Sequence, residues 1–265
     1  MKKILSICMA LLLVSGLAAC NIAGENTSDE SEEARIPVET PSRDRWHEIT
    51  GFPIDEELFV ETLDIPVLEM IAGEIQSLVT EIQEKERADP DYVLKGRWNQ
   101  DFRRSEQYRA VLGLGLKAVK PAYYIIYKSD RAGLYEYILA SAVDEITGYD
   151  YSVTVNTRWS NSKEFLGMYN DKVKKTLKSF TETMEDPELI EAEKAKQICG
   201  LGIFAVAPLL NEMDKTSSAL SADHLGKCLW RIVEDYTGEE AGKNLEKWRS
   251  ENERTYRDII ETLEQ

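Results

Sequence analysis

The chain carries the same stretch twice. Gly113-Leu114-Gly115-Leu116-Lys117-Ala118-Val119-Lys120-Pro121 returns 87 residues later as Gly200-Leu201-Gly202-Ile203-Phe204-Ala205-Val206-Ala207-Pro208. Further on, Val143-Asp144-Glu145-Ile146-Thr147-Gly148 returns as Val233-Glu234-Asp235-Tyr236-Thr237-Gly238, about 90 residues later. A tryptophan then follows each Thr-Gly, at Trp159 and Trp248. Three landmarks in one order point to a duplication, and a unit of this size buries its apolar face by packing against its copy.

Apolar residues within each copy recur three or four apart, the helical period, and nothing alternates for long like a sheet. The first copy predicts helices over about 105–128, 131–147 and 160–184, and the second over about 187–214, 220–236 and 243–263. Gly148 and Gly238 fit helix ends, where a left-handed conformation favours glycine. Asp186-Pro187-Glu188 has cap, first-turn proline and first-turn acid in the order a helix start prefers. Pro121 and Pro208 read as kinks inside the first helix of each copy. Ahead of the copies, Asp64 reads as an N-cap, followed by Leu68, Ile71, Ile75, Leu78 and Ile82 on one face. Asp89-Pro90 and Gly96 interrupt that pattern, and a charged stretch runs to Ser105, the next N-cap. The expected fold is all-α: two three-helix units, 105–185 and 186–265, preceded by an N-terminal helix within 45–104.

Small residues and Ala-Val-x-Pro in the first helix, then a second helix closing on Ile-Thr-Gly or Tyr-Thr-Gly, resemble bacterial HEAT-like repeats over about two thirds of the body. The resemblance implies a short α-solenoid acting as a protein-interaction scaffold, and it implies no chemistry. The added Trp-led third helix departs from the two-helix module, which argues against a long regular superhelix.

Residues 1–19 open with Lys2 and Lys3, continue through an apolar run from Ile4 to Val14, and end on small residues before Cys20, the grammar of an export signal. Leu17-Ala18-Ala19-Cys20 resembles the lipobox of bacterial lipoproteins, in which a diacylglycerol joins the cysteine sulfur and the leader is cleaved just before it. That resemblance implies Cys20 as the lipid acceptor and a location at the cell membrane, facing the extracytoplasmic side. The plainer alternative is an ordinary signal peptide with an accidental cysteine. A spanning helix fails on length, because the apolar run is well short of the roughly 20 residues a bilayer requires. Residues 20–44, with Glu25, Asp29, Glu30, Glu32, Glu33, Pro37 and Pro41, have too little apolar surface to offset ordering entropy and read as a flexible acidic tether.

The formal charge of −16 argues against a nucleic-acid partner, which rewards basic patches. Two His and four Cys leave little material for a zinc site, and no metal or other cofactor is implied. Both copies contain G-x-G-x-x-A, the outline of a dinucleotide fingerprint. That fingerprint requires a preceding strand and a following helix of about three turns, and the prolines arrive too soon, so small residues for close helix approach are the better reading. Cys199 and Cys228 fall on the paired helices of the second copy, as a disulfide or as two buried thiols. His47 and His224 are far apart, and each fits a surface or hydrogen-bonded role. Trp98, Trp159 and Trp248 read as core anchors. The acidic pairs Glu32-Glu33 and Glu239-Glu240 read as solvated.

Leu116, Val119, Tyr123 and Ile126 correspond to Ile203, Val206, Leu210 and Met213, an apolar stripe shared by both copies. The neighbouring stripe has diverged. Lys117, Lys120, Tyr124 and Tyr127 correspond to Phe204, Ala207, Asn211 and Asp214. Two ammonium groups and two phenols on one face would suit an anionic or aromatic ligand. The favoured alternative is that this stripe meets the N-terminal helix while its lysines snorkel past the edge. Taken together, the sequence predicts a lipid-anchored helical scaffold for a protein partner at the cell envelope, with no catalytic residue. A small-ligand-binding lipoprotein using the Lys and Tyr face is the first alternative, and an enzyme acting on envelope polymers is the second.

Overall fold

The computed structural model describes residues 53–148, 159–215, 218–238 and 244–264, all within the compact unit Trp46–Gln265. Among the described residues every regular element is a helix, so the fold is all-α. The segments read as an export signal and a tether, Cys20, His47 and Glu239-Glu240 lie outside the described residues.

Four helices precede the copies, where the sequence pattern suggested one. They are α1 (Glu56–Glu61), α2 (Ile65–Ala88), α3 (Asp91–Leu94) and α4 (Arg97–Arg104). Asp55 and Asp64 cap α1 and α2 by accepting from the Glu57 and Val67 amides. Charge did not prevent the stretch before Ser105 from being helical. Only Asp89-Pro90 and Gly96 (φ 65°) divide it into short pieces. Leu68, Ile71, Ile75, Leu78 and Ile82 of α2 are all buried, packed towards the first copy.

The first copy comprises α5 (Glu106–Gly113), a 3-10 turn (Gly115–Ala118), α6 (Val119–Lys128), α7 (Leu134–Ile146) and α8 (Ser162–Glu185). The second comprises α9 (Glu191–Cys199), a 3-10 turn (Gly202–Ala205), α10 (Val206–Met213), α11 (Ala222–Thr237) and α12 (Leu245–Asp258). The expected first helix of each copy is thus two helices with a corner between them. The corner belongs to glycine, because Gly115 and Gly202 stand at φ 57° and 73°, left-handed values that L side chains resist. Pro121 and Pro208 sit just beyond it, in the first turn of α6 and α10, where a missing N–H costs little. Two expectations are corrected here: the prolines do not make the bend, and the glycines do not serve close approach. A Cβ built on Gly115 or Gly202 would meet nothing within 4 Å.

The Thr-Gly stops behave alike in both copies. Thr147 and Thr237 donate their hydroxyls to the Val143 and Val233 carbonyls at 2.8 and 2.9 Å, and Gly148 and Gly238 follow at φ 61° and 71°. Asp186-Pro187-Glu188, in contrast, starts no helix. Asp186 Oδ1 accepts from the Glu188 amide in a local turn, and α9 begins later, at Glu191.

Each copy folds its first two long elements together, α6 on α7 and α9 with α10 on α11. The third helices tie the copies to each other. Helix α8 packs on α6 and α7 and also reaches α9 and the Gly202–Ala205 turn, while α12 packs on α10 and reaches the Gly115–Ala118 turn. The shared stripe forms the core at these contacts: Leu116, Val119, Tyr123, Ile126, Ile203, Val206 and Leu210 are buried, and Met213 is half-buried.

Candidate functional site

The diverged stripe is where a site was expected, so its surroundings decide what it does. Lys120, two residues into α6, is 3% exposed. Its Nζ donates to Thr62 Oγ1 at 2.5 Å, to Asp258 Oδ1 at 3.4 Å and to Glu261 Oε2. The Phe59 ring of α1 closes the other side, its centroid 4.5 Å from Nζ, and adds a cation–π contact. An ammonium withdrawn this far from water is tolerable because four groups compensate it. Burial is the main cause that raises the Glu261 carboxyl above its ordinary value, with the Lys120 ammonium acting against it.

Tyr124 is also buried, donating to Glu56 Oε1 at 3.0 Å and stacking on Phe59 at 5.8 Å. Half-buried Tyr127 stacks on Tyr124 at 6.5 Å, and Lys117 is exposed. The expected binding face is therefore not four open groups, because Lys120 and Tyr124 hold α1 and the segment after α12. The stripe does meet the N-terminal region, but Lys120 does not snorkel; it ends on carboxylates in the interior.

That following segment was expected to remain helical to about residue 263. Instead α12 stops at Asp258, and residues 259–263 run on as a buried stretch across the first copy. Several of its backbone polar groups are met by distant parts of the chain, as burial favours. Tyr169 Oη donates to the Ile259 carbonyl at 2.6 Å, and the Ile54 amide donates to the Thr262 carbonyl at 2.8 Å. The Leu263 amide donates to Tyr123 Oη at 2.9 Å, and Asn170 Nδ2 donates to the Leu263 carbonyl at 2.9 Å.

In the second copy the same helical face is met by α12. Arg249 grips Asp214 with two parallel bonds of 2.8 Å and reaches Glu253 at 2.8 Å, and Arg257 reaches Glu253 at 2.7 Å. Burial would raise the Glu253 carboxyl, but the Arg249 and Arg257 guanidiniums outweigh it and hold the carboxyl below its ordinary range. Ala207 and Phe204, in place of Lys120 and Lys117, are buried, and Phe204 meets Tyr169 edge-on at 5.6 Å.

Half-buried Asp258 and buried Glu261 are two acids drawn to one ammonium, and Arg254 also bonds to Asp258 at 2.7 Å. Lys120 bonds to both, and Phe59 and Thr62 cover it, so the cluster joins chain segments. Among the described residues, no group of three His, Cys, Asp or Glu is placed to hold a metal ion.

The remaining predicted residues have local partners. Cys199 and Cys228 do come together, with their sulfurs 2.7 Å apart across α9 and α11. His224 Nδ1 lies 3.0 Å from Glu191 Oε2 and 2.9 Å from Ser221 Oγ, at the starts of the same two helices. Trp98 and Trp159 both lie against Tyr137, and Trp248 lies between Trp230 and Tyr256, all three half-buried at aromatic clusters.

Sequence reasoning missed Phe59, Thr62, Asp258 and Glu261, which hold Lys120, and Lys163, whose ammonium donates to the Ile126 and Ser129 carbonyls at the C-terminal end of α6 at 2.9 and 2.5 Å. One signal for the first group was available: a lysine on an otherwise apolar helix needs an acid from elsewhere.

No helix among the described residues is long and apolar enough to cross a membrane. Compared with protein-family models, with curated proteins and with solved structures, the chain matches none.

Proposed function

We propose that this protein is a lipid-anchored, extracytoplasmic helical scaffold that holds a protein partner at the cell envelope. The observation that carries the reading is the leader ending in Leu17-Ala18-Ala19-Cys20, followed at once by an acidic tether. A diacyl anchor retains a protein at a membrane while a flexible tether lets the body sample its surroundings. The body suits display more than chemistry. Its buried Lys120 and Glu261 join chain segments, and Lys120 and Tyr124 of the face favoured by a small-ligand reading are covered by α1 and residues 259–263.

The test is made in the native cell with the full chain. Mass spectrometry of the mature N-terminus is expected to show cleavage before Cys20 and a diacylglycerol on its sulfur. Cys20→Ser is expected to leave the chain unlipidated and released from the membrane fraction. An unmodified Cys20, or cleavage elsewhere, overturns the anchor. Affinity capture from cross-linked envelopes then tests the scaffold: a partner bound by the parent and by separately purified body protein supports it, and turnover of an envelope polymer by the purified chain overturns it.

A further inference from the structure

The second copy contains a pair of thiols that the first lacks. Cys199 closes α9, Cys228 lies in the middle of α11, and their sulfurs stand 2.7 Å apart. The corresponding positions of the first copy are Leu112 and Ile138, on α5 and α7, which also pack together. Two apolar residues on paired helices of the first copy thus correspond to two residues able to bond covalently in the second.

We propose that Cys199 and Cys228 form a modification site, in which thiol–disulfide exchange with a small or protein disulfide installs a reversible staple between α9 and α11. The two sulfurs are placed for unequal roles. Cys199 is half-buried, and Cys228 is 1% exposed, so a reagent meets Cys199 first. The hydrogen bond from Cys228, then the nearby Arg231 guanidinium, favours the Cys199 thiolate against its partial burial. That same hydrogen bond, with burial, pushes the Cys228 thiol up, so Cys228 stays protonated until a bond forms next to it.

The exchange balances without a bound cofactor. Cys199 thiolate attacks one sulfur of the external disulfide, an S–S bond breaks, and one thiolate leaves. Cys228 then attacks Cys199 Sγ, its proton passes to solvent or to a departing thiolate, and the second thiol is expelled. The external disulfide is reduced to two thiols, and the cysteine pair is oxidised by two electrons. The extracytoplasmic placement proposed above would supply such disulfides, but the exchange itself can be tested without that placement.

The purified full chain is reduced, treated with oxidised glutathione, quenched in acid, alkylated and digested with trypsin. The expected product is residues 197–215 joined to residues 228–231, two hydrogens lighter than the two free-thiol peptides together. Cys228→Ser is expected to accumulate glutathione on Cys199, and Cys199→Ser is expected to leave Cys228 unreacted in the folded chain. The parent's melting temperature is expected to rise by roughly 5–10 °C on oxidation, and neither variant's should. Recovery of both peptides singly and alkylated, a lasting glutathione adduct on Cys199 of the parent, or linkage of Cys199 or Cys228 to Cys8 or Cys20 overturns the proposal. Because the readout is a linkage in purified protein, its failure would leave the lipid anchor untouched, and an unlipidated Cys20 would leave this pair untouched.

Discussion

Helices α6 and α10 occupy the same place in the two copies and follow the same glycine corner, yet different parts of the chain cover them. On α6, α1 and the non-helical residues 259–263 close over Lys120 and Tyr124. On α10, the helix α12 packs alongside and locks through Arg249 to Asp214, while Ala207 is buried. The shared apolar stripe specifies how each copy packs on its own helices. The diverged stripe specifies its neighbours outside the copy, so divergence there marks a difference of cover. A lysine in the first copy and an alanine in the second follow from what arrives: the end of α12 and the segment after it, with one acid each, or the body of α12 with its cation Arg249.

The largest test of that comparison is Lys120→Met. Removing the ammonium leaves Glu261 buried with its main cation gone, and losing one partner of a buried pair costs about 3–5 kcal/mol. Arg249→Met in the second copy should cost less, about 2 kcal/mol, because its side chain and the Asp214 it grips remain partly wet. Urea denaturation of both variants measures the difference. Equal losses would mean that the two covers are energetically alike and that the contrast drawn from the stripe is wrong.

Next in size are Gly115→Ala and Gly202→Ala. Each forces an L side chain into a left-handed backbone with open space around the new methyl, so strain alone acts, about 1–2 kcal/mol apiece. Matching losses in urea denaturation would show that the copies share the corner even where their surfaces differ. A loss at only one of them would break the equivalence.

Why some of this could be read from the sequence and some could not has a physical basis. The stripe Leu116, Val119, Tyr123 and Ile126 was legible because burial on one helix face writes a 3.6-residue period. The Thr-Gly stops were legible because a left-handed helix end selects glycine in any context. The run from Asp89 to Ser105 was misread because its α4 helix presents only a narrow buried side, essentially Phe102, and charge obscured the period. Residues 259–263 were read as helix because their apolar content fits one. What holds them after the helix ends lies in Ile54, Tyr123, Tyr169 and Asn170, all more than 85 residues away in the chain. The destination of Lys120 was hidden for the same reason: a buried cation's counterions are a fact of tertiary structure.

The pH dependence should separate the two covers by sign. Glu253, held below its ordinary value of 4.5, contributes stability that is present above that value and lost as pH falls through its lower folded pKa. Glu261, raised above 4.5, does the reverse: its contribution is fullest below 4.5 and declines as pH rises towards its folded pKa. Stability curves of Glu253→Gln and Glu261→Gln, each subtracted from the parent, should therefore slope in opposite directions with pH. Slopes of one sign would show that Lys120 dominates Glu261 in the way the arginines dominate Glu253, and the two covers would then be one electrostatic device used twice.

The smallest effects belong to the prolines, and they address the corner from the other side. Pro121 and Pro208 are buried in the first turn of α6 and α10, past the left-handed glycines. Replacing either by alanine restores an N–H that the first turn can leave unpaired, widens the conformational freedom of the unfolded chain and trims a little packing. The sum is a loss of about 1 kcal/mol or less, similar at both sites. If the glycines set the bend, each proline variant should keep the corner in a crystal structure, with the Leu116 and Ile203 contacts unchanged. Straightening of α5 into α6 in Pro121→Ala would return the bend to the proline, and the Gly115 and Gly202 losses would then need another cause.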